Sequence, residues 1–171
     1  MKKKGIEVRK ARLEDIKDIS NITKEAFQQY KKYVGGYGSL SALSETYEDI
    51  KKDIETKEVF VAVLNGVCVG SVRVEVFRDK TAYLSRFAVS PELQRHGVGN
   101  ALLDAVDEAM KEAGVRKLSL HTAAKASPLI YCYYKHDFYI ESTTKDRGYI
   151  RALLIKDYIE DEKGINYGNA N

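Results

Sequence analysis

Phe87-Ala88-Val89-Ser90-Pro91-Glu92-Leu93-Gln94-Arg95-His96-Gly97-Val98-Gly99-Asn100-Ala101 is the stretch on which the reading of this chain turns. Strand-forming residues run up to Val89, and a short loop follows. The series Val98, Leu102, Leu103, Val106, Ala109 and Met110 then recurs at helical spacing. The first turn of a helix has backbone N–H groups with no intrahelical acceptor, and the aligned peptide dipoles add partial positive charge there. Gly97 and Gly99 let an anion approach those N–H groups closely. A strand, a loop and a glycine-bearing helix start therefore form a cradle for a diphosphate. Arg95 and His96 can add side-chain donors, and Arg95 is always charged. Glycines also open helices for packing reasons alone, so the surrounding elements must decide.

Upstream, Ile6 to Ala11 reads as a strand. Leu13, Ile16, Ile19 and Ile22 then mark a helix running towards Tyr30, with Ala26 and Phe27 on its buried side. Gly35-Gly36-Tyr37-Gly38 breaks it, and Ser39 or Ser41 is placed to cap a second helix through Thr56. Glu58 to Leu64 is β-rich. Asn65-Gly66 is a hairpin signal, because a type I′ turn needs positive φ at both central residues. Val67 to Phe77 is the return strand, Arg78-Asp79-Lys80 turns the chain, and Ala82 to Val89 is a third meander strand. Downstream, Gly114 ends the helix, Lys117 to Thr122 is a strand, Pro128 opens another helix, and Tyr139 to Lys156 holds two more strands. The order β-α-α-β-β-β-α-β-α-β-β predicts an α/β fold with a mixed, mostly antiparallel central sheet and flanking helices. Residues 1–162 are expected to form a single domain, and the polar, Gly/Asn-rich tail 163–171 to be disordered.

The 171 residues fit one domain with a real core, and 44% hydrophobic with 31% charged residues is the balance of a globular chain. A net charge of +3, from 28 basic and 25 acidic residues, argues against nucleic acid, whose binding needs clustered Lys and Arg. No apolar run approaches the roughly 18 residues of a membrane span, and no apolar segment follows the basic Lys2-Lys3-Lys4 to suggest a signal peptide. A cytoplasmic location is the default. Cys68 and Cys132 have no metal-type spacing and suggest no disulfide framework, so no metal is expected.

Gln94-x-x-Gly97-x-Gly99, preceded by Leu84 to Val89 and followed by Ala101-Leu102-Leu103, resembles the acetyl-CoA motif of the GNAT superfamily of N-acetyltransferases. The element order agrees from about Ile6 to Lys156, so the resemblance covers most of the chain. It implies a GNAT-like fold, acetyl-CoA as acyl donor and an amine as acceptor. It implies that the segment Gln94, Arg95, His96, Gly97, Val98, Gly99 and Asn100 holds the pyrophosphate, chiefly through backbone N–H groups from Arg95 to Asn100. It also implies that the pantetheine arm pairs with Phe87, Ala88 and Val89 like an added strand. Pantetheine carries two amides that can bond to an open sheet edge. A backbone N–H near Val89 would polarise the thioester carbonyl as charge develops on its oxygen.

A second match, Leu129-Ile130-Tyr131-Cys132-Tyr133-Tyr134-Lys135-His136-Asp137-Phe138, resembles the family's segment carrying the tyrosine that protonates the departing thiolate, here Tyr133. A phenol of pKa about 10 suits a thiolate leaving group of about 8.5. Packing in an aromatic-rich helix is the alternative role. Asp137 replaces the family's usual glycine, and Ala126 stands where many relatives have an asparagine that contacts CoA. Cys132 is read as a packing residue.

An alkylammonium has a pKa of about 10.4, so removing its proton at pH 7 costs roughly 4–5 kcal/mol, and a base must receive it. Some relatives place a glutamate where this chain has Ser85. Glu75 on the neighbouring strand, His121 on the next one, or ordered water are the candidates. The acceptor region offers Tyr30, Tyr33, Tyr37 and Tyr47 with Glu45, Glu48 and Asp49, which would suit a cationic amine or simply form a solvated face. Transfer to a small-molecule primary amine leads. Transfer to a protein N-terminus or lysine, and a non-catalytic acyl-CoA sensor, are the alternatives. Exposed late strands leave a homodimer open.

Overall fold

The computed structural model describes residues 5–35 and 40–158. The expected tail 163–171 and the candidates Tyr37 and Ser39 lie outside them. The strands are β1 (Ile6–Lys10), β2 (Glu58–Leu64), β3 (Val67–Val76), β4 (Thr81–Val89), β5 (Lys117–Ala123), β6 (Tyr139–Thr144) and β7 (Arg151–Asp157). The helices are α1 (Ile16–Val34), α2 (Tyr47–Thr56), α3 (Val98–Glu112) and α4 (Ser127–Lys135). The strands form one sheet in the order β1-β2-β3-β4-β5-β7-β6, in which only β4 and β5 run parallel.

β2 shows why its sequence reads as an almost unbroken apolar run. Phe60 and Ala62 enter the larger core with Val98, Leu102, Leu103, Val106 and Met110 of α3. Val59 and Val61 point the other way and pack with Ile19 of α1 and Ile50 of α2. A strand covered on both faces must be apolar at consecutive positions, and each such side chain contributes about 1.5–3 kcal/mol by leaving water. Asn65 and Gly66 both take positive φ, 50° and 80°, as the hairpin between β2 and β3 requires. At the far edge, β6 has β7 as its only neighbour in the sheet and is exposed along its length.

Two expectations shift. The first helix begins as a 3-10 turn over Leu13–Asp15 and then runs past Tyr30 to Val34. The second starts at Tyr47, not at Ser39 or Ser41. Thr46 Oγ1 accepts from the Asp49 N–H at 3.2 Å, and Asp49 Oδ2 accepts from the Thr46 N–H at 2.8 Å. This reciprocal cap needs an acceptor three residues on. Asp49 supplies one after Thr46, whereas Ser41 is followed at that distance by Ser44. Ser41 opens only a 3-10 turn, Ser41–Leu43.

The α2 side of the sheet carries a buried cation. Arg73 of β3 is 1% exposed. It donates to both carboxylate oxygens of Glu45, at 2.9 and 2.7 Å, and to Asp53 at 2.8 Å. Taking a guanidinium out of water is costly, and the two carboxylates offset that cost only while both stay in place. The cluster thus fixes α2 and the segment before it against β3. Replacing Arg73 by Met removes the central cation and leaves Glu45 with Arg86 and Asp53 with Lys57. Chemical denaturation should then show a loss of about 3–5 kcal/mol.

Candidate active site

β4 and β5 pair only from Thr81–Tyr83 to Lys117–Ser119. Beyond Tyr83 the two strands part. On its other side β4 stays paired with β3, but the register shifts between Ser71/Arg73 and Ala88/Ser85, so β4 holds one extra residue there. Arg86 sits in this bulge with φ 52°. A bulge bends its strand and re-aims side chains, and here it carries Phe87 to Val89 along the open gap.

The chain leaves β4 through a 3-10 turn, Pro91–Leu93, and enters α3 at Gly97, whose φ of 88° is readily available only to glycine. The His96 N–H is used within the turn, donating to Leu93 O at 3.3 Å. The Ala101 N–H donates to Gly97 O at 3.1 Å. The N–H groups of Val98, Gly99 and Asn100 therefore precede the helical ladder and have no acceptor within it. A Cβ on Gly99 would lie 3.1 Å from Phe87 Cζ, so the residue lets the helix start and β4 approach closely.

A cavity of about 940 Å³ occupies the gap. Its walls come from α1, β4, the turn, β5 and α4. Of the residues that the sequence marked, Phe87, Val89, Gln94, Arg95, Gly97, Gly99, Asn100, His121 and Tyr133 line it. Ala88 and Val98 are buried in the core and are not among the lining residues. The His96 ring turns back to Gln94 O at 2.9 Å. Glu75 is exposed on β3, opposite Tyr83, and is not among the lining residues.

Tyr133 is 4% exposed and packs between Phe87 and Phe138, with ring centroids 5.8 and 5.6 Å away. Among the described residues its hydroxyl has no hydrogen-bond partner. Burial pushes this phenol well above its ordinary pKa of 10, so it is protonated throughout the neutral range. The His121 Nδ1 lies 2.7 Å from the Tyr83 hydroxyl. Burial first, then the charges of Arg151 and Arg147 against the opposing Asp146, push His121 below 6.5, leaving it neutral at pH 7. Burial raises the thiol of half-buried Cys132 and keeps it protonated.

The acidic residues expected to face a cationic amine are placed otherwise. Glu45 is bound to Arg73 and Arg86, and Asp49 caps α2. Neither they nor Glu48 line the cavity. The Glu45 pairs join residues 28 and 41 positions apart, and composition cannot reveal them.

The family model for acetyltransferase (GNAT) proteins matches residues 16–138. The chain belongs to the acetyltransferase (GNAT) family. Among curated proteins, an uncharacterized N-acetyltransferase of Chlorobaculum tepidum is 29% identical over 115 residues. That alignment spans 67% of this chain and 66% of the relative's own length. Among solved structures, the PaiA N-acetyltransferase of Thermoplasma acidophilum, in complex with coenzyme A, superposes with a TM-score of 0.76 at 20% identity, covering 90% of this chain and 99% of that one. The YncA protein of Salmonella typhimurium, with acetyl-CoA, gives 0.74 at 16%, covering 91% and 95%. The ribosomal-protein-alanine N-acetyltransferase of Brucella melitensis gives 0.72 at 19%, covering 88% and 99%. These likenesses confirm the fold.

With the GNAT framework in place, the structure adds detail at two positions that the sequence marked. Asp137, which stands where the family usually has glycine, takes a φ of 65°. Aspartate tolerates that conformation better than most residues, so the turn after α4 survives the replacement. Asn100 is braced from behind: its Oδ1 lies 3.1 Å from His136 Nε2. The other face of His136 lies near Asp107, which also accepts from Lys156 at 2.8 Å and Tyr158 at 2.6 Å.

Proposed function

We propose that this protein transfers an acetyl group from acetyl-CoA to a primary amine of a small molecule, by direct attack in a ternary complex. The observation that carries the reading is the Tyr133 hydroxyl, unpartnered and protonated on the wall of the cavity that begins at the free N–H groups of the turn.

In this reading the N–H groups of Val98, Gly99 and Asn100, with Arg95, hold the pyrophosphate, since a helix start favours an anion. The open side of β4 from Phe87 to Val89 takes the pantetheine amides as a sheet edge takes a strand. The N–H near Val89 stabilises the negative charge that develops on the thioester oxygen. His121 receives the proton lost by the amine as its nitrogen bonds to the acetyl carbon. Its position on the cavity wall and its neutral state favour it over exposed Glu75. Tyr133 gives its proton to sulfur as the carbon–sulfur bond breaks, and solvent restores the phenol. Cys132, as a protonated thiol, plays a packing part.

A protein N-terminus as acceptor is the second reading, favoured by the likeness to the Brucella ribosomal-protein-alanine acetyltransferase. Acetyl-CoA-dependent assays on amines and on peptide N-termini, run side by side, separate the two.

Calorimetry should show saturable acetyl-CoA binding that Gly99→Val weakens at least about tenfold, because the added branch would occupy the space against Phe87. Tyr133→Phe should leave that binding intact while lowering kcat about 100-fold or more. An unchanged kcat would remove Tyr133 as the acid, and binding without any turnover in the unmodified protein would leave a sensor. With His121 as base, kcat/KM should fall as acid protonates it. Because its folded pKa is depressed, that limb should lie below pH 6.5. His121→Gln should abolish the limb and slow the plateau about 100-fold.

A further inference from the structure

Among the described residues, the charged side chains on the cavity wall all have one sign: Lys32, Arg86, Arg95 and Lys135 line it, and no aspartate or glutamate does. Three of the four go with the phosphate-binding end of the proposed site. Arg95 belongs to the turn, and Lys135 lies on α4, whose Cys132 and following His136 meet Asn100. Lys32 is one helical turn beyond Gln29, whose side chain accepts from Gln94 at 3.1 Å. Arg86 stands apart. It lies in the β4 bulge beside Ser85. Continued past its last pair, Tyr83 with Ser119, the parallel register would set Ser85 level with His121, and both line the cavity with Arg86.

Arg86 is also held in place without being neutralised by a partner of its own. Its Nη2 donates to Ser41 Oγ at 3.1 Å, and its Nε donates to Glu45 at 3.2 Å. Glu45 is already shared with buried Arg73, which takes both of its oxygens. Arg73 also holds Asp53, which pairs with Lys57, so two carboxylates serve three cations, and Arg86 Nη1 has no hydrogen-bond partner among the described residues. Arg151 and Arg147 add positive potential near His121, against the single nearby carboxylate Asp146.

The geometry points to an acceptor that carries its own carboxylate near the reacting amine, a small amino-acid-like molecule and not a polyamine, with Arg86 as the residue that receives the carboxylate. This deepens the acetyltransfer reading and rests on it. The same positive surroundings that disfavour imidazolium disfavour an ammonium ion, so they promote the free amine that attacks. A second ammonium group, as in a diamine, would meet Arg86 with no carboxylate on the wall to offset it. A guanidinium with a free N–H edge binds a carboxylate through charge-assisted hydrogen bonds.

The test measures kcat/KM at saturating acetyl-CoA for ω-amino acids of increasing chain length, each matched with the monoamine and diamine of the same length. The best amino acid should exceed its matched diamine by about tenfold or more. Arg86→Gln should bring that ratio close to one by raising the amino-acid KM, with the KM for acetyl-CoA unchanged. Arg86→Lys, which keeps the charge, should retain part of the preference. A diamine used as well as the amino acid by the unmodified protein overturns the inference and leaves acetyltransfer standing. So does a ratio that Arg86→Gln does not move in a protein that still binds acetyl-CoA. If acetyl-CoA binds and no acceptor of any class is acetylated, the acetyltransfer reading itself fails and this inference with it.

Discussion

Beyond Tyr83, β4 has a strand neighbour on one side only, and the rest of the site follows from that parting. Main-chain amides that would complete a ladder with β5 are left open, and an open edge invites another extended, amide-bearing segment. The gap provides the space that α1 and α4 wall in. It also lets β4 and β5 present different chemistry at the same level, with Arg86 and Phe87 on one side and His121 on the other. Were the two strands paired to their ends, the cavity would be closed by sheet. The bulge at Arg86 goes with this parting: β4 holds one residue more than β3 over the same stretch.

Around that gap the structure divides its work between the two faces of the sheet. The face bearing α3 and α4 is apolar apart from the group Asp107, Lys156, Tyr158 and His136, and holds Tyr133 between two phenylalanine rings, which fixes its position while leaving its hydroxyl free. The face bearing α1 and α2 uses charge. Arg73, Glu45, Asp53 and Arg86 form one connected group that reaches from the second helix to the bulge. The first arrangement keeps the Tyr133 phenol neutral. The second suits a wall whose shape matters and whose charge is set by which residues share a carboxylate.

Much of this was legible in the sequence because it is local. The run from Phe87 to Ala101 contains its own strand, loop and helix start, and Asn65-Gly66 contains its own hairpin. Resemblance alone singles out Tyr133, since nothing in Tyr131-Cys132-Tyr133-Tyr134 separates the rings, and Tyr131 and Tyr133 both line the cavity. What was not legible depends on pairs distant in the chain. Glu45 looked available to a substrate until Arg73 and Arg86, 28 and 41 positions away, were found to hold it. Glu75 and His121 looked equivalent as bases; the register Glu75–Tyr83–Ser119 puts both on one face of the sheet, and of the two only His121, beyond the point where β4 and β5 part, lines the cavity. The start of α2 was misjudged because Ser41 has the right side chain for a cap but lacks the reciprocal acidic partner that Thr46 finds in Asp49.

The buried ion cluster at Arg73 has a consequence for behaviour on heating. Charged groups are hydrated with a strongly unfavourable entropy, so the cost of drying them falls as temperature rises, while the gain from burying apolar surface levels off. The tie between α2 and β3 therefore supplies a growing share of cohesion in the warm protein. The wall that carries Arg86 should hold its shape after the purely apolar contacts elsewhere have begun to lose their relative advantage.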